Sequence, residues 1–220
     1  IDNLIAEQDS LQGKAKGETI AYDRDLNLTD QLFRYGVRIN TDLMMDLQCD
    51  LIPIVVGGTM ENPQMEFLHW NYFPFLVAPD SKVSKNIGYV AGRFVNSIDT
   101  IEVAGIQKTP LLVSSPNSRI ISTPALISLN ENKNVPQDIK FNRNAIPAAV
   151  LLEGKFTSLF RNKLGKNILD SLASVNQPFQ SVSAESKMIV VADGDIVLND
   201  VLPDSGPFQW DGINTRTLNT

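Results

Sequence analysis

Short apolar runs alternate along the chain with polar, Gly- or Pro-punctuated breaks, and the period of each run predicts an element. Ile1-Asp2-Asn3-Leu4-Ile5 reads as a strand running into a loop, and Gln8 to Lys16 as a polar, glycine-broken loop. Leu28, Leu32 and Tyr35 share one face at helical spacing. Asn27 suits the N-cap of that helix, Asp30 in its first turn favours the dipole, and Gly36 supplies a C-terminal stop. Val37-Arg38-Ile39 alternates like a short strand. Leu51 to Val56 is apolar and β-branched, and Pro53 within it places this strand at an edge or a bulge. Met65 to Trp70 is a further extended segment, leading into the aromatic cluster Asn71-Tyr72-Phe73-Pro74-Phe75. Val83 to Asn96 is compatible with a short helix, and Ile98 to Val103 alternates as a strand.

The second half changes character. Pro110 to Val113, Ala148 to Leu152 and Met188 to Ala192 are continuous apolar runs. Such runs suit strands covered on both faces, as in sheets that carry helices on each side. Phe156, Leu159, Phe160 and Leu164 recur at helical spacing after the second run, and Leu169 to Lys187 reads as a helix tail followed by a surface loop. The expectation is an α/β domain with a central mixed, largely parallel sheet and flanking helices. It forms one domain over residues 1–220, divisible into subregions 1–105 and 106–220. In such folds ligands sit beyond the carboxyl ends of the strands. That directs attention to the turns Ser114-Ser115-Pro116-Asn117, Glu153-Gly154-Lys155 and Asp193-Gly194-Asp195.

Composition narrows the classes of function. With 220 residues, 43% hydrophobic and 20% charged, the chain is an ordinary globular sequence with enough length for a substantial core. The formal net charge of -6 gives no basic face for nucleic acid. One cysteine, Cys49, and one histidine, His69, allow neither an internal disulfide nor a zinc site built from soft ligands. No run approaches the roughly 18–20 apolar residues of a membrane-spanning helix. The chain starts at Ile1, and we expect it to be a piece of a longer protein whose membrane segments lie elsewhere.

The candidate chemistry is sparse. Asp193 and Asp195 offer carboxylates to a cation or a sugar; the alternative, which the lack of other clustered acids favours, is a turn that satisfies loop amides. Asn117, Ser118 and Arg119 follow a strand and present an amide, a hydroxyl and a guanidinium fork to an anion or sugar; the alternative is a turn with Arg119 paired to an acid. Gly57-Gly58 lacks the spacing of a phosphate loop, and no Walker-type sequence occurs, so a turn between elements is the reading of this pair. Cys49 lies between acids that blunt a thiol. No nucleophile elbow and no paired carboxylates for glycoside hydrolysis are found. His69, Trp70, Tyr72 and Phe73 are amphipathic or aromatic candidates for a partner interface; core packing is the other reading of the same residues.

Several segments are shared in order with one family. Asn27 to Asn40 (Asn-Leu-Thr-Asp-Gln-Leu-Phe-Arg-Tyr-Gly-Val-Arg-Ile-Asn), Asp46-Leu47-Gln48-Cys49, Ile52 to Gly57, Trp70 to Pro74, Leu112 to Arg119 and Val190 to Asn199 together resemble the GldG-like proteins. The resemblance spans about Asn27 to Asn199. It implies a membrane-anchored protein of Bacteroidetes-type bacteria, with a large domain on the periplasmic side of the inner membrane. That domain would be an auxiliary component of an ABC transporter associated with gliding motility, similar to a domain of intraflagellar transport proteins. The implied fold is an α/β sugar-binding or amidotransferase-like one, in keeping with the Rossmann-like reading of the apolar runs. The implied partners are the membrane subunits of the transporter, with a small polar ligand such as a sugar, peptide or cell-wall fragment as the alternative. No cofactor and no catalytic residue come with the resemblance.

Overall fold

The apolar run at 148–152 lies at the centre of the molecule. A computed structural model describes residues 1–6, 11, 17–59, 62–79, 87–131, 138–197, 200–202 and 206–208. In chain order the strands are β1 (Leu4–Ile5), β2 (Glu18–Asp23), β3 (Val37–Ile39), β4 (Asp42–Asp46), β5 (Cys49–Gly58), β6 (Pro63–Val77), β7 (Tyr89–Ala91) and β8 (Ile98–Thr100). They continue as β9 (Ile106–Val113), β10 (Ser118–Ser122), β11 (Ala125–Ser128), β12 (Pro147–Thr157), β13 (Val182–Val191), β14 (Asp200–Leu202) and β15 (Gly206–Phe208). The helices are α1 (Thr29–Tyr35) and α2 (Lys166–Ser174).

The largest sheet runs β13-β12-β9-β6-β5, with β7 also on β6. Small sheets β1-β2-β11, β10-β4 and β3-β8 surround it. All of these pairings are antiparallel. The α/β expectation, with its largely parallel sheet, is therefore overturned: about half of the described residues are strand (50%) and few are helical (13%). The burial signal itself was sound. Val150, Leu152 and Phe156 of β12 face one cluster with Leu32, Val37 and Ile98. Ala149 and Leu151 face another with Met44, Leu76 and Val95. β12 is thus covered on both faces, but one cover comes mainly from α1 and small strands and the other from strands and loops. Periodicity reports how many faces are buried and carries no information on strand direction.

Other expectations shift for local reasons. The helix placed over Phe156 to Leu164 is absent, because Phe156 and Thr157 finish β12 and the chain then turns; the helix comes at Lys166–Ser174. Glu153-Gly154-Lys155 is no turn but lies within β12. Gly154 there has φ +148, and a Cβ on it would collide with the Gly105 carbonyl of the neighbouring segment. Val182 to Lys187 is strand instead of loop. Of the helix weighed over Val83 to Asn96, residues 83–86 lie outside the described residues, and Tyr89–Ala91 is strand. The loop expected over Gln8 to Lys16 also lies outside them, Leu11 excepted. Helix α1 begins one residue later than expected: Leu28 is the N-cap, and Asn27 takes φ 54 and donates its N–H to Asp25. Gly36 ends it in the left-handed region, φ 95, its N–H reaching the Leu32 and Phe33 carbonyls.

A third cluster holds Leu4, Leu43, Met45, Ile52, Trp70, Tyr72, Phe73, Phe94, Ile127 and Phe141. Trp70 meets Tyr72, Phe73 and Phe94 edge-on at 4.9–5.6 Å between ring centres. Such pairs add about 1 kcal/mol each beyond area burial.

The irregular segment 92–97 ties the molecule together. Gly92 and Phe94 donate N–H groups to Pro74 and Tyr72 of β6. Arg93 donates to Asp193, and Asn96 to Ala192. Val95 accepts from Met44 of β4, and the Ser97 N–H goes to Asp42. Phe94 holds φ 51, a left-handed conformation costing about 1–2 kcal/mol for a bulky residue, offset here by the ring's place in the aromatic cluster.

Candidate functional site

Strand β4 carries two buried carboxylates at its ends, and each grips a serine. Asp46 accepts the Ser115 N–H at 2.8 Å and its hydroxyl at 2.6 Å, with the Gln48 N–H at 2.8 Å as a third donor. Asp42 accepts the Ser97 N–H at 2.8 Å and its hydroxyl at 2.5 Å. Burial raises both carboxyl pKa values, against the lowering effect of these donors. A run of three apolar residues bracketed by acids, Asp42-Leu43-Met44-Met45-Asp46, is the only trace of this in the sequence, and sequence reasoning passed over it.

Beside Asp42 opens a cleft of about 970 Å³. Its walls are the 23–29 segment, the β3–β4 stretch, Ser97 to Asp99, the end of β10 and the 143–147 segment. Ile39, Ile98, Ile120 and Ile146 give the cleft an apolar floor. Its rim pairs Arg38 with Asp99 at 2.6 Å, and Thr123, next to the lining residue Ser122, donates its hydroxyl to Asp23. Arg24 reaches Asp2 at 3.5 Å. The lining carries Asp23, Asp25, Asp42 and Asp99 against Arg24, Arg38 and Arg143, so neither sign of charge dominates.

None of the residues singled out from the sequence as ligand-binding lines this cleft. Ser118 is fully buried, its hydroxyl shared among Ser114, Ser115 and Arg143. Arg119 donates to Glu131 at 3.0 Å and to the Met45 sulfur, and lies 4.9 Å over the Phe141 ring. Asn117 is exposed; its N–H goes to the Ser115 hydroxyl and its carbonyl accepts from Leu47. Asp193 is buried, with one carboxyl oxygen on the Arg93 N–H and the other on the Asp195 N–H at 2.8 Å. Burial pushes its pKa up to about 6. Asp195 opens a short 3₁₀ turn. Neither turn lines the cleft beside Asp42.

The aromatic candidates are mostly internal. Trp70, Tyr72 and Phe73 are buried; the indole N–H of Trp70 donates to the Ser128 carbonyl at 3.0 Å, and the Tyr72 hydroxyl to that of Leu126 at 3.3 Å. Burial raises the Tyr72 pKa. His69 is exposed, 3.3 Å from the Cys49 carbonyl. Cys49 is buried, its thiol pushed up to about 12 by desolvation and by the charges of Asp46 and Asp50. Among the described residues no group of three or more His, Cys, Asp or Glu is placed to hold a metal, and no helix is long and apolar enough to cross a membrane.

A different surface carries exposed apolar groups. β5 and β6 form a long hairpin whose register pairs Leu51 with His69, Pro53 with Phe67 and Val55 with Met65. Directly opposed residues project to the same side. The inward side bears Ile52, 2% exposed, and Ile54, which packs on the aromatic cluster. The outward side bears Val55 at 62% exposure, Phe67 at 61%, Met65 at 49% and Leu51 at 43%. Nothing in the alternation of Leu51 to Val56 distinguishes an outward apolar face from a core one, so the sequence alone does not single these residues out.

The described residues form a mainly antiparallel β protein, and its family makes it an auxiliary component of an ABC-type transport system. Residues 1–217 match the family described as an ABC-type uncharacterized transport system, and the chain belongs to that family. Neither the curated proteins nor the solved structures yield a match.

Proposed function

We propose that this chain is a non-catalytic assembly module of an ABC transporter complex, held on the periplasmic side of the inner membrane and associated with gliding motility. The observation that carries the reading is the outward face of the β5–β6 hairpin. It offers Leu51, Val55, Met65 and Phe67 with no charged residue among them, to a membrane subunit of the transporter. Membership in a transport-system family supports the choice of partner. Ser118, Arg119 and Asp193, the candidates for holding a small ligand, are engaged in bonds that hold the backbone and core, which favours an assembly role over a ligand site at those turns.

The test is capture in cells with a photo-crosslinking residue at Val55, compared with the Phe67→Glu chain. Capture of a transporter subunit, lost in Phe67→Glu with an unchanged melting temperature, is the expected result. Capture that Phe67→Glu leaves intact, or none of any transporter subunit, would refute the reading.

A second reading, a solute-binding module for a sugar, peptide or cell-wall fragment, is favoured by the cleft beside Asp42, whose volume matches ligand sites. A melting-temperature screen against those three classes tests it, a flat result counting against it.

A further inference from the structure

The hydrogen-bond parity of β10 leaves part of its edge open. Arg119 and Ile121 face β4 in register with Met45 and Leu43, while the Asn117 carbonyl accepts from Leu47. Successive residues of a strand point their N–H and C=O groups to opposite sides. Ser118, Ile120 and Ser122 therefore aim theirs away from β4. The same parity follows from β4, where Met44, opposite Ile120, donates its N–H to Val95 on the other side. At Ser118 the open edge is filled: Arg143 exchanges both main-chain bonds with it, at 3.2 and 2.9 Å. The 143–147 segment then leaves the edge. Ala145 takes φ 52, and Ile146 bonds to Ser114 at the end of β9. Beyond that departure Ile120 and Ser122 present two N–H and two C=O groups with no strand partner among the described residues. Both residues line the cleft.

We propose that the cleft receives an extended polypeptide segment of a partner protein, which adds as a strand to the free edge of β10 at Ile120 and Ser122. The chemistry of the walls favours this occupant over a sugar or an ion. A strand edge demands a ligand that alternates donors and acceptors at peptide spacing, which another peptide backbone provides. The floor of Ile39, Ile98 and Ile146 suits inward-facing apolar side chains. The lining holds no aromatic ring on which a sugar face would stack, and its three arginines and four aspartates call for no strongly charged ligand. Arg143 at Ser118 already shows a strand adding to this edge, one residue pair long. The inference goes beyond both readings of function: it gives the cleft of the second reading a partner protein in place of a small solute.

The experiment follows amide hydrogen exchange of the whole chain by NMR, with a blocked, uncharged pentapeptide of alternating threonine and valine as the probe. The free chain should exchange the Ile120 and Ser122 amides about 100-fold faster than those of Arg119 and Ile121, which lie in the β4 ladder. Millimolar probe should slow Ile120 and Ser122 by about tenfold or more. The same peptide N-methylated on alternate residues should leave them fast. A Ser122→Trp chain, altered at an exposed position, should lose the slowing; a Leu126→Trp chain, also exposed and away from the cleft, should keep it. Ile120 and Ser122 amides protected without any peptide would overturn the proposal, because the edge would already be occupied. Probe binding without protection, or no binding, would overturn it as well. An N-acetylglucosamine disaccharide that shifts cleft resonances while the peptide does not would leave the cleft a solute site and eliminate the strand.

Discussion

Replacing Asp46 with alanine tests whether the buried carboxylates of β4 are latches of the fold. The side chain is fully buried and accepts three bonds, two of them from Ser115. Gln48 is exposed, so water satisfies its N–H after the substitution. Ser115 is 1% exposed, and its N–H and hydroxyl would be stranded, at about 1–3 kcal/mol each. Against this stands the desolvation of the carboxylate, visible in its raised pKa, which the substitution removes. The balance is a loss of about 3 kcal/mol, a large part of the 5–15 kcal/mol that holds a typical domain. For a chain of this size that lowers the melting temperature by about 6–12 °C. Urea unfolding followed by circular dichroism would measure it. The double-mutant cycle with Ser115→Ala isolates the latch: the two losses should fall short of additivity by about 1 kcal/mol or more. A loss below about 1 kcal/mol, or strictly additive losses, would refute the reasoning and free Asp46 for a role in recognition.

Two further outcomes follow from the same buried groups. Burial raises the pKa of Asp42, Asp46 and Asp193, the last from 3.8 to about 6. Each therefore binds its proton more tightly in the folded chain, and the linked stability is full below the unfolded value and lost as pH rises through the folded one. Urea midpoints should be higher at pH 5 than at pH 7.5, with Asp193 contributing about 1 kcal/mol; a midpoint that falls on acidification across this range would contradict the assignment. Cys49, its thiol pushed up to about 12, should resist iodoacetamide at pH 8 in the native chain and react at the rate of unfolding. Rapid modification of the folded protein would contradict its burial.

Much of the strand content was legible because burial leaves a mark on composition. The runs at Leu51 to Val56, Met65 to Trp70, Pro110 to Val113 and Ala148 to Leu152 are all strand, and Gly36 ends α1 as expected. Direction was illegible. β12 reads as a doubly covered strand whether its neighbours run parallel or antiparallel, and both β9 and β13 run antiparallel to it. The site was less legible still. Asn117, Ser118, Arg119, Asp193 and Asp195 stood out because they follow apolar runs, yet a polar residue after a strand is as often the bond that holds the next turn, as it is for Ser118 and Asp193. The free edge at Ile120 and Ser122 has no signature in side chains, because it is made of main-chain groups and of the route taken by residues 143–147.

Segment 92–97 has a kinetic consequence. Its bonds close loops of very different size: Ser97 joins Asp42 across 55 positions and Arg93 joins Asp193 across 100. No local sequence preference can preform such a knot, and each closure costs chain entropy before any contact rewards it. The segment should therefore set late in folding, once β4, β6 and β13 have already met. The same dependence runs in reverse. No one of the three apolar clusters can open without pulling on this segment, so heat, denaturant or mechanical load should undo the chain in a single step.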